Sequence, residues 1–265
     1  MKSIEYINKI RRDYNIPSNF IIKTISKYFT KDILDIKFND YNLSEKDIII
    51  LNKIIIDEYP IEYVINKTTF LDYEFYIDEN VLIPRPETED LVLISEKIIQ
   101  KNNYKTIFDL ATGSGVIGIS LKLRNPRLNV HISDISNKAL EVAKKNISKY
   151  DLDLNIYQAN IFQGIEKTIY NMDFIICNPP YVETKKEFLN SSIKHEPNIA
   201  LFAGEDGQDF FRELLNYQKI LKNKTMIFET TEFNYSKTAI ILSKLGKIDI
   251  IKDSFGKNRF IKVET

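Results

Sequence analysis

The sequence predicts an α/β fold in which a mostly parallel, seven-stranded sheet is covered by helices on both faces and is preceded by a small all-α domain. Three observations support this prediction. Short apolar runs alternate with helical segments from residue 105 onward, a glycine loop follows the first of these runs, and residues 1–59 show only helical periodicity. Such alternation is typical of a parallel sheet, because each crossover helix returns the chain to the same edge.

The N-terminal part of the chain predicts a bundle of helices. Apolar residues recur at helical spacing in residues 4–10 and form a second stripe in residues 20–29. Ser44 followed by Asp47 resembles a capping box, a pair of side chains that satisfy free backbone N–H groups at a helix start. An apolar face at residues 48–55 then extends this third helix.

A short β-rich segment separates the bundle from the rest of the chain. Aromatic and apolar residues at alternating positions in residues 70–77 predict a strand or hairpin, and residues 81–83 predict a second short strand that ends at Pro84. A helix is predicted over residues 87–101. The chain therefore divides into three parts: a helical bundle (1–67), a β-hairpin linker (68–86) and an α/β domain (87–265).

The α/β domain is built from alternating elements. Its predicted strands cover residues 106–110, 129–132, 154–158, 174–177, 226–229, 248–252 and 259–263. Its further predicted helices cover residues 116–123, 138–148, 209–221 and 235–245. The last two strands follow each other without a helix between them, so we expect that pair to be antiparallel.

Composition narrows the class of protein. The 265 residues include 37 basic and 37 acidic side chains, so the formal net charge is zero and no long-range attraction to nucleic acid or an anionic membrane is expected. Cys177 is the single cysteine, which excludes an internal disulfide and favours a reducing, cytoplasmic compartment. One cysteine and two histidines do not suit a structural zinc site. No apolar run has the length of a membrane span.

A loop at the end of the first sheet strand predicts a cofactor site. After Asp109 and Leu110 it continues with small residues, which let a ligand approach the backbone and the N–H groups of a helix start: Ala111, Thr112, Gly113, Ser114 and Gly115. Asp134 ends the next strand, where a carboxylate can bind both ribose hydroxyls. The alternative for Asp134 is a helix N-cap, a role that Ser136 also suits. Together these features indicate an adenosine-containing cofactor, either a dinucleotide or S-adenosylmethionine.

The segment Asn178-Pro179-Pro180-Tyr181 follows the predicted strand 174–177, at the edge where such sheets bind ligands. Two prolines stiffen the backbone and remove two N–H donors. The Asn178 side-chain oxygen and the Pro179 carbonyl are placed to accept hydrogen bonds from one –NH2 group, and Tyr181 offers an aromatic face to a planar amide or base. The plainer alternative is a proline-stiffened loop with a capping asparagine. We expect methyl transfer from S-adenosylmethionine to a planar amide or amine nitrogen.

Four segments resemble one family closely: residues 59–65, residues 81–89, the cofactor loop with Asp134, and residues 178–181 with Glu196-Pro197 and Ala200-Leu201 downstream. The chain resembles, over nearly its whole length, the PrmC/HemK family of glutamine methyltransferases that modify peptide chain release factors. The resemblance implies a Rossmann-like class I S-adenosylmethionine methyltransferase fold. It also implies action on the glutamine of a Gly-Gly-Gln motif in class 1 release factors, with the helical bundle recognising the substrate protein. Neither a membrane nor direct nucleic acid binding is expected.

The chain departs from the family pattern at several positions. Ala111 and Asn160 stand where the family usually has glycine and aspartate, and Ile161 stands where it often has an aromatic residue. The resemblance places Asn160 and Ile161 near the adenine, with Asn178 beside the cofactor. Asn66 and the turn Lys222-Asn223-Lys224 also differ from the usual glycines. We expect cofactor binding to survive, with the Asn160 carbonyl accepting from the adenine amine.

Other residues have plainer interpretations. Arg85 is a candidate substrate-binding residue or a buttress of the cofactor, and its alternative is a surface ion pair with Glu87 or Glu89. His195 is expected to be a hydrogen-bonding loop residue, and Cys177 a buried strand residue. Three rival functions remain at this point: an adenine-specific nucleic-acid methyltransferase that flips its target base, a non-catalytic binding factor of the same fold, and a nicotinamide oxidoreductase. The last leaves residues 178–181 without a role.

Overall fold

The computed structural model describes residues 1–184 and 191–265. These residues form two compact units. The first consists of residues 1–67 and the described residues 191–195. The second consists of residues 68–184 and 196–265.

The first unit is helical. Its elements are α1 (Ser3–Tyr14), α2 (Ser18–Phe29), α3 (Ile33–Phe38), α4 (Glu45–Ile55), α5 (Ile61–Ile65) and a 3₁₀ helix (Ser191–His195). The predicted capping box is confirmed, because Ser44 Oγ accepts from the Asp47 N–H while the Asp47 carboxylate accepts from the Ser44 N–H at 2.9 Å. The apolar stripes meet in one core of side chains: Tyr6, Ile7, Ile10, Ile21, Ile25, Ile36, Leu43, Leu51 and Ile55.

From Thr68 onward the second unit contains a two-stranded hairpin, formed by β1 (Lys67–Phe70) and β2 (Tyr73–Tyr76). Its remaining strands are β3 (Thr106–Leu110), β4 (Asn129–Asp134), β5 (Asn155–Gln158), β6 (Phe174–Cys177), β7 (Thr225–Glu229), β8 (Lys247–Lys252) and β9 (Asn258–Glu264). Its helices are α6 (Pro86–Asn102), α7 (Val116–Arg124), α8 (Asn137–Lys149), α9 (Glu166–Ile169), α10 (Asn198–Leu201), α11 (Asp209–Leu214) and α12 (Tyr235–Leu242).

The seven-stranded sheet has the order β5-β4-β3-β6-β7-β9-β8. Strands β3 to β7 pair in parallel, while β9 pairs antiparallel with both β7 and β8, so the antiparallel final pair is confirmed. The chain runs from β3 outward to β5 and then crosses to β6 on the other side of β3. Because strand order reverses at this point, the carboxyl ends of β3 and β6 open a crevice, which is where sheets of this kind bind ligands.

Alternating residues of the central strands enter two cores, one on each face of the sheet. On β3, Ile107 packs in one core and Phe108 in the other, and on β6 Ile176 and Ile175 divide in the same way. This burial on both faces explains why the strands appear in the sequence as continuous apolar runs.

Two predicted elements are wrong. Residues 81–83 form no strand, because the Ile83 N–H donates to the Glu196 carboxylate at 3.1 Å instead of to a neighbouring strand, and Pro84 supplies no donor. The helix predicted over residues 209–221 ends at Leu214 and continues only as a 3₁₀ turn, Leu215–Tyr217. In the part of the chain that the structure describes, no helix is both long and apolar enough to cross a bilayer.

Candidate active site at the carboxyl edge of the sheet

A cavity of about 330 Å³ opens at the carboxyl ends of β3, β4 and β6. Its size lies within the range of small-molecule sites. The loops after these strands line it together with segments near residues 80–88 and 199–213. Most of the predicted site residues meet here: Ala111, Thr112, Gly113, Ser114, Asp134, Asn160, Ile161, Asn178 and Pro180. Gly115, Pro179, Tyr181 and Arg85 are not among its lining residues.

The loop after β3 is held by buried hydrogen bonds. Asp109 is fully buried, and its Oδ2 accepts from Thr112 Oγ1 at 2.5 Å and from the Gly118 N–H at 2.9 Å. Its Oδ1 has no hydrogen-bond partner among the described residues. Burial raises the pKa of Asp109 to about 7, because the charged form is poorly solvated there. Asp109 therefore shapes the loop from beneath and does not face the cavity.

Backbone conformation explains the small residues of this loop. Ala111 has φ of 56° and Gly113 has φ of 56°, a left-handed region that side chains disfavour. A Cβ placed on Gly113 would meet no atom within 4 Å, so this backbone faces open space beside the cavity. At Gly115 a Cβ would lie 2.8 Å from Ile119 Cδ1, so that glycine serves packing of α7 rather than ligand contact.

Asp134 is oriented by two backbone donors. Its Oδ2 accepts from the Gly113 N–H and its Oδ1 from the Ser136 N–H, both at 2.9 Å. Each carboxylate oxygen keeps a further lone pair, which is the arrangement that a pair of neighbouring hydroxyl groups requires. Burial raises the pKa of Asp134. Ser136, and not Asp134, caps α8 by accepting from the Ala139 N–H, which removes the capping alternative.

The lining of the cavity combines apolar residues with one amide beside a carboxylate. Ile135, Ala159 and Ile161 line it together with Asn160 and Glu213. Asn160 Nδ2 donates to Glu213 Oε1 at 2.7 Å. Because a carboxylate oxygen only accepts, this contact fixes the amide so that the Asn160 oxygen is the atom left for a ligand.

The segment after β6 places an amide at the crevice. Asn178 lines the cavity, and its Nδ2 donates to Thr88 Oγ1 at 3.1 Å. Tyr181 points elsewhere, since its hydroxyl donates to Glu229 Oε1 at 3.2 Å. Burial and the nearby Glu229 carboxyl raise the pKa of the Tyr181 hydroxyl well above its ordinary value.

The other residues singled out in the sequence lie outside the cavity. Arg85 forms an ion pair with Glu196 at 2.6 Å. The alternative, a surface ion pair with Glu87 or Glu89, is therefore wrong. Cys177 is buried in the strand, as expected. His195 lies in the first unit, 3.3 Å from the Asp57 carbonyl oxygen.

Several residues of this region were not anticipated from the sequence. Asn146 bridges the hairpin and the cofactor loop, since its Nδ2 donates to the carbonyls of Tyr76 and Ser114 at 2.9 and 2.8 Å. Phe202 and Ala203 line the cavity because residues 201–204 pair with the backbone of Val182 and Thr184. No local pattern indicates these contacts, which join segments far apart in the chain.

Comparison with known proteins places this architecture in a family. The family model "Methyltransferase small domain" matches residues 91–232. The "Release factor glutamine methyltransferase" of Flavobacterium psychrophilum is 36% identical over 86% of this chain and 83% of its own length. The proteins of the same name from Leptospira interrogans and Borreliella burgdorferi are 38% and 36% identical, over 76% and 85% of this chain and 73% and 76% of their own lengths.

Because the solved structures share little sequence identity with this chain, they support the fold alone. The hMettl16 catalytic domain in complex with MAT2A 3'UTR hairpin 6 has a TM-score of 0.55 and 13% identity, over 85% of this chain and 84% of its own. The T. thermophilus 16S rRNA N2 G1207 methyltransferase, in complex with AdoMet and guanosine, has a TM-score of 0.55 and 13% identity. The match covers 75% of this chain and 49% of that chain.

The sheet order and the matched domain define the chain as an S-adenosylmethionine-dependent methyltransferase with a Rossmann-like fold. Its sequence identity to relatives, over most of both chains, defines a narrower family within that class. The chain belongs to the family of release factor glutamine methyltransferases. The adenine-specific and non-catalytic alternatives are not favoured by this membership.

Proposed function

We propose that this chain transfers the methyl group of S-adenosylmethionine to the side-chain amide nitrogen of the glutamine in the Gly-Gly-Gln motif of class 1 peptide chain release factors. Family membership supports this substrate, since the relatives carry release factor glutamine methylation in their names. We also propose a cytoplasmic location, in line with the single cysteine of the chain and the translation-related names of its relatives.

One observation carries the proposal: the orientation of Asn178 at the cavity. Its Nδ2 is taken by Thr88, so the oxygen is the atom that remains for a ligand. An amide oxygen at this position accepts from the –NH2 of a substrate glutamine. A histidine or lysine at this position would instead be a candidate base for proton abstraction, and no histidine or lysine lines this cavity among the described residues.

The cavity suits S-adenosylmethionine on the chemistry of its lining. We assign the ribose hydroxyls to Asp134, whose two oxygens each keep a free lone pair. The exposed backbone at Gly113, with Ala111, Thr112 and Ser114, would lie against the amino-acid part of the cofactor. The adenine would fill the apolar slot where Asn160 offers one acceptor, between Ile161 and Ile135. When bound, S-adenosylmethionine supplies a sulfonium methyl group that is open to attack by a nucleophile.

The residues after β6 would prepare the nucleophile. An amide nitrogen is a weak nucleophile because its lone pair is delocalised, so orientation and charge stabilisation must supply the rate. The Asn178 oxygen and the Pro179 carbonyl would accept the two amide hydrogens and hold the nitrogen in line. They would also stabilise the positive charge that grows on it. The rigid Pro179-Pro180 backbone limits the motion of both acceptors. No strong base is needed before transfer, because the nitrogen becomes acidic only once it is methylated.

The remaining assignments concern the substrate protein. We propose residues 1–67 as the domain that recognises the release factor, residues 68–86 as a linker, and residues 87–265 as the methyltransferase domain. Tyr181 and Arg85 would shape the loop that receives the glutamine, since neither lines the cavity itself.

A transfer assay with two competing acceptors tests this proposal. The enzyme is given labelled S-adenosylmethionine, a class 1 release factor and an adenine-containing oligonucleotide, and a matched reaction uses a release factor with its Gly-Gly-Gln glutamine changed to glutamate. Label is expected only in the unaltered release factor. Label in the oligonucleotide would instead show an adenine-specific methyltransferase. An enzyme that binds the cofactor but transfers no label would contradict the proposed substrate.

A further inference from the structure

One buried carboxyl group contacts Tyr181, at the end of the segment after β6, and is influenced by Thr88, which contacts Asn178 at the start of that segment. Glu229, on β7, is 1% exposed and does not line the cavity. Its Oε1 accepts from the Tyr181 hydroxyl at 3.2 Å. Its Oε2 is buried and has no hydrogen-bond partner within the described residues. A buried polar atom in this state is costly, so a role for the carboxyl group beyond packing is expected.

The second contact runs through Thr88 on α6. Thr88 is 2% exposed, and its hydroxyl oxygen accepts from Asn178 Nδ2 at 3.1 Å. The same hydroxyl lies close enough to the Glu229 carboxyl to lower the pKa of that group, against the larger effect of burial, which raises it to about 7. Glu229 therefore reaches Asn178 through one side chain and Tyr181 directly.

The chemistry of a hydroxyl group makes this arrangement directional. Thr88 has one hydrogen to donate. An ionised Glu229 would draw that hydrogen toward its unpaired Oε2, and the Thr88 oxygen would then turn its lone pairs toward Asn178. Only the –NH2 half of the Asn178 amide can then face Thr88. The oxygen half is left toward the cavity.

We propose that Thr88 and Glu229 are positioning residues for methyl transfer: they select the amide orientation of Asn178 and hold Tyr181, so that the segment after β6 presents acceptors and no donor to the substrate nitrogen. This inference rests on the proposed function for its substrate, while the orientation itself is a property of the chain alone. Without it, half of the Asn178 orientations would place an –NH2 group against the substrate –NH2.

Other charged and titratable groups surround Glu229 and fit this role. Arg259 on β9 attracts its negative charge and is itself held by Asp253 at 2.7 Å. Glu87 on α6 opposes it. Cys177 on β6 is buried nearby, and the charge of Glu229 contributes to the raised pKa of that thiol. Arg259 thus favours the ionised carboxyl group that the orientation of Thr88 requires.

The test compares Thr88→Val, which keeps the shape and removes the hydroxyl, with Thr88→Ser, which keeps the hydroxyl. Thr225→Val is the matched control, because Thr225 is also a buried threonine whose hydroxyl bonds a side chain, Tyr104, at 2.7 Å. Two readouts are taken: kcat and KM for the release factor, and the ¹⁵N side-chain amide signals of Asn178 in enzyme without substrate. The Asn178 signals are identified by their loss in Asn178→Asp.

Thr88→Val is expected to lower kcat by roughly 10- to 100-fold, the range for a lost orienting contact, with little change in KM or in cofactor affinity. Its Asn178 amide protons should exchange with water faster than in the unaltered enzyme. Thr88→Ser should restore both properties, and Thr225→Val should change neither. Glu229→Gln should speed the exchange of the Asn178 amide protons with water, while keeping an acceptor for Tyr181.

Unchanged kcat and unchanged Asn178 amide signals in Thr88→Val would overturn the inference. If the unaltered enzyme transfers no methyl to the release factor, the proposed function fails, but the amide signals still decide whether Thr88 orients Asn178. Equal losses in Thr88→Val and Thr225→Val would show a general packing effect and would also overturn it.

Discussion

Replacement of Asp109 by Asn tests how the loop after β3 is held. Asp109 is fully buried beneath that loop, and burial raises its pKa from 3.8 to about 7. Thr112 and Gly118 both donate to Oδ2, while Oδ1 has no hydrogen-bond partner among the described residues. An asparagine can place its oxygen at Oδ2 and its –NH2 at Oδ1, so it copies the protonated acid and removes the titration.

The sign of the effect follows from the direction of the pKa shift. A carboxyl group whose pKa is raised by folding stabilises the fold when protonated, below about pH 4, and this stability is lost as pH rises through about 7. The full shift of about three units corresponds to roughly 4 kcal/mol, of which about 2.5 kcal/mol is lost between pH 5 and pH 8. The wild-type chain should lose this amount of unfolding free energy relative to Asp109→Asn.

Urea unfolding at pH 5 and pH 8 measures the difference between the two chains. Asp173→Asn is a suitable control: burial of Asp173 opposes the shift, but hydrogen bonds from the backbone of Lys105 and Thr106 hold its pKa below the usual value. Both folded and unfolded chains are then ionised at this position across the window, so the effect of that substitution should not change with pH. A difference between wild type and Asp109→Asn that stays constant from pH 5 to pH 8 would refute the reasoning.

Three further substitutions give distinct expected results. Asn178→Ala should lower methyl transfer by about 100-fold or more, because an acceptor for the substrate amide is lost, while calorimetry shows cofactor affinity largely retained; normal turnover would exclude the assigned role. Asp134→Ala should weaken cofactor binding by roughly 10- to 100-fold, as expected when charge-assisted hydrogen bonds are lost, and an unchanged Kd would place the ribose elsewhere. Asn160→Asp should weaken cofactor binding by about fivefold, since repulsion from Glu213, about 1 kcal/mol even in bulk water, turns the acceptor away from the adenine; Glu213→Gln in the same chain should restore affinity, and no rescue would contradict the pairing.

The sheet could be predicted because its pattern is local. Strands buried on both faces are continuous apolar runs, and β3 and β6 have the bounds that were predicted. Residues 81–83 looked equally apolar but form no strand, because Ile83 donates to Glu196, 113 positions away. Apolar character alone does not show whether a backbone donor meets a strand or a side chain.

The site was predictable in part for a similar reason. Small residues after β3, a carboxylate after β4 and the segment after β6 all precede or follow strands that can be recognised, so their meeting at one edge follows from the fold. The positions of the residues that orient these side chains do not follow from the fold. Thr88, Glu229 and Glu213 act on Asn178, Tyr181 and Asn160 from 48 to 90 positions away, and nothing in their immediate sequence distinguishes them from a helix start, a strand end or a solvated helix face.

Peptide mass spectrometry of a class 1 release factor, after incubation with this enzyme and S-adenosylmethionine, tests the central claim most directly. The account predicts one added methyl group, located on the glutamine of the Gly-Gly-Gln motif, and none when the enzyme carries Asn178→Ala. An unmodified glutamine after incubation with an enzyme that binds the cofactor, or a methyl group on any other residue, would contradict the account.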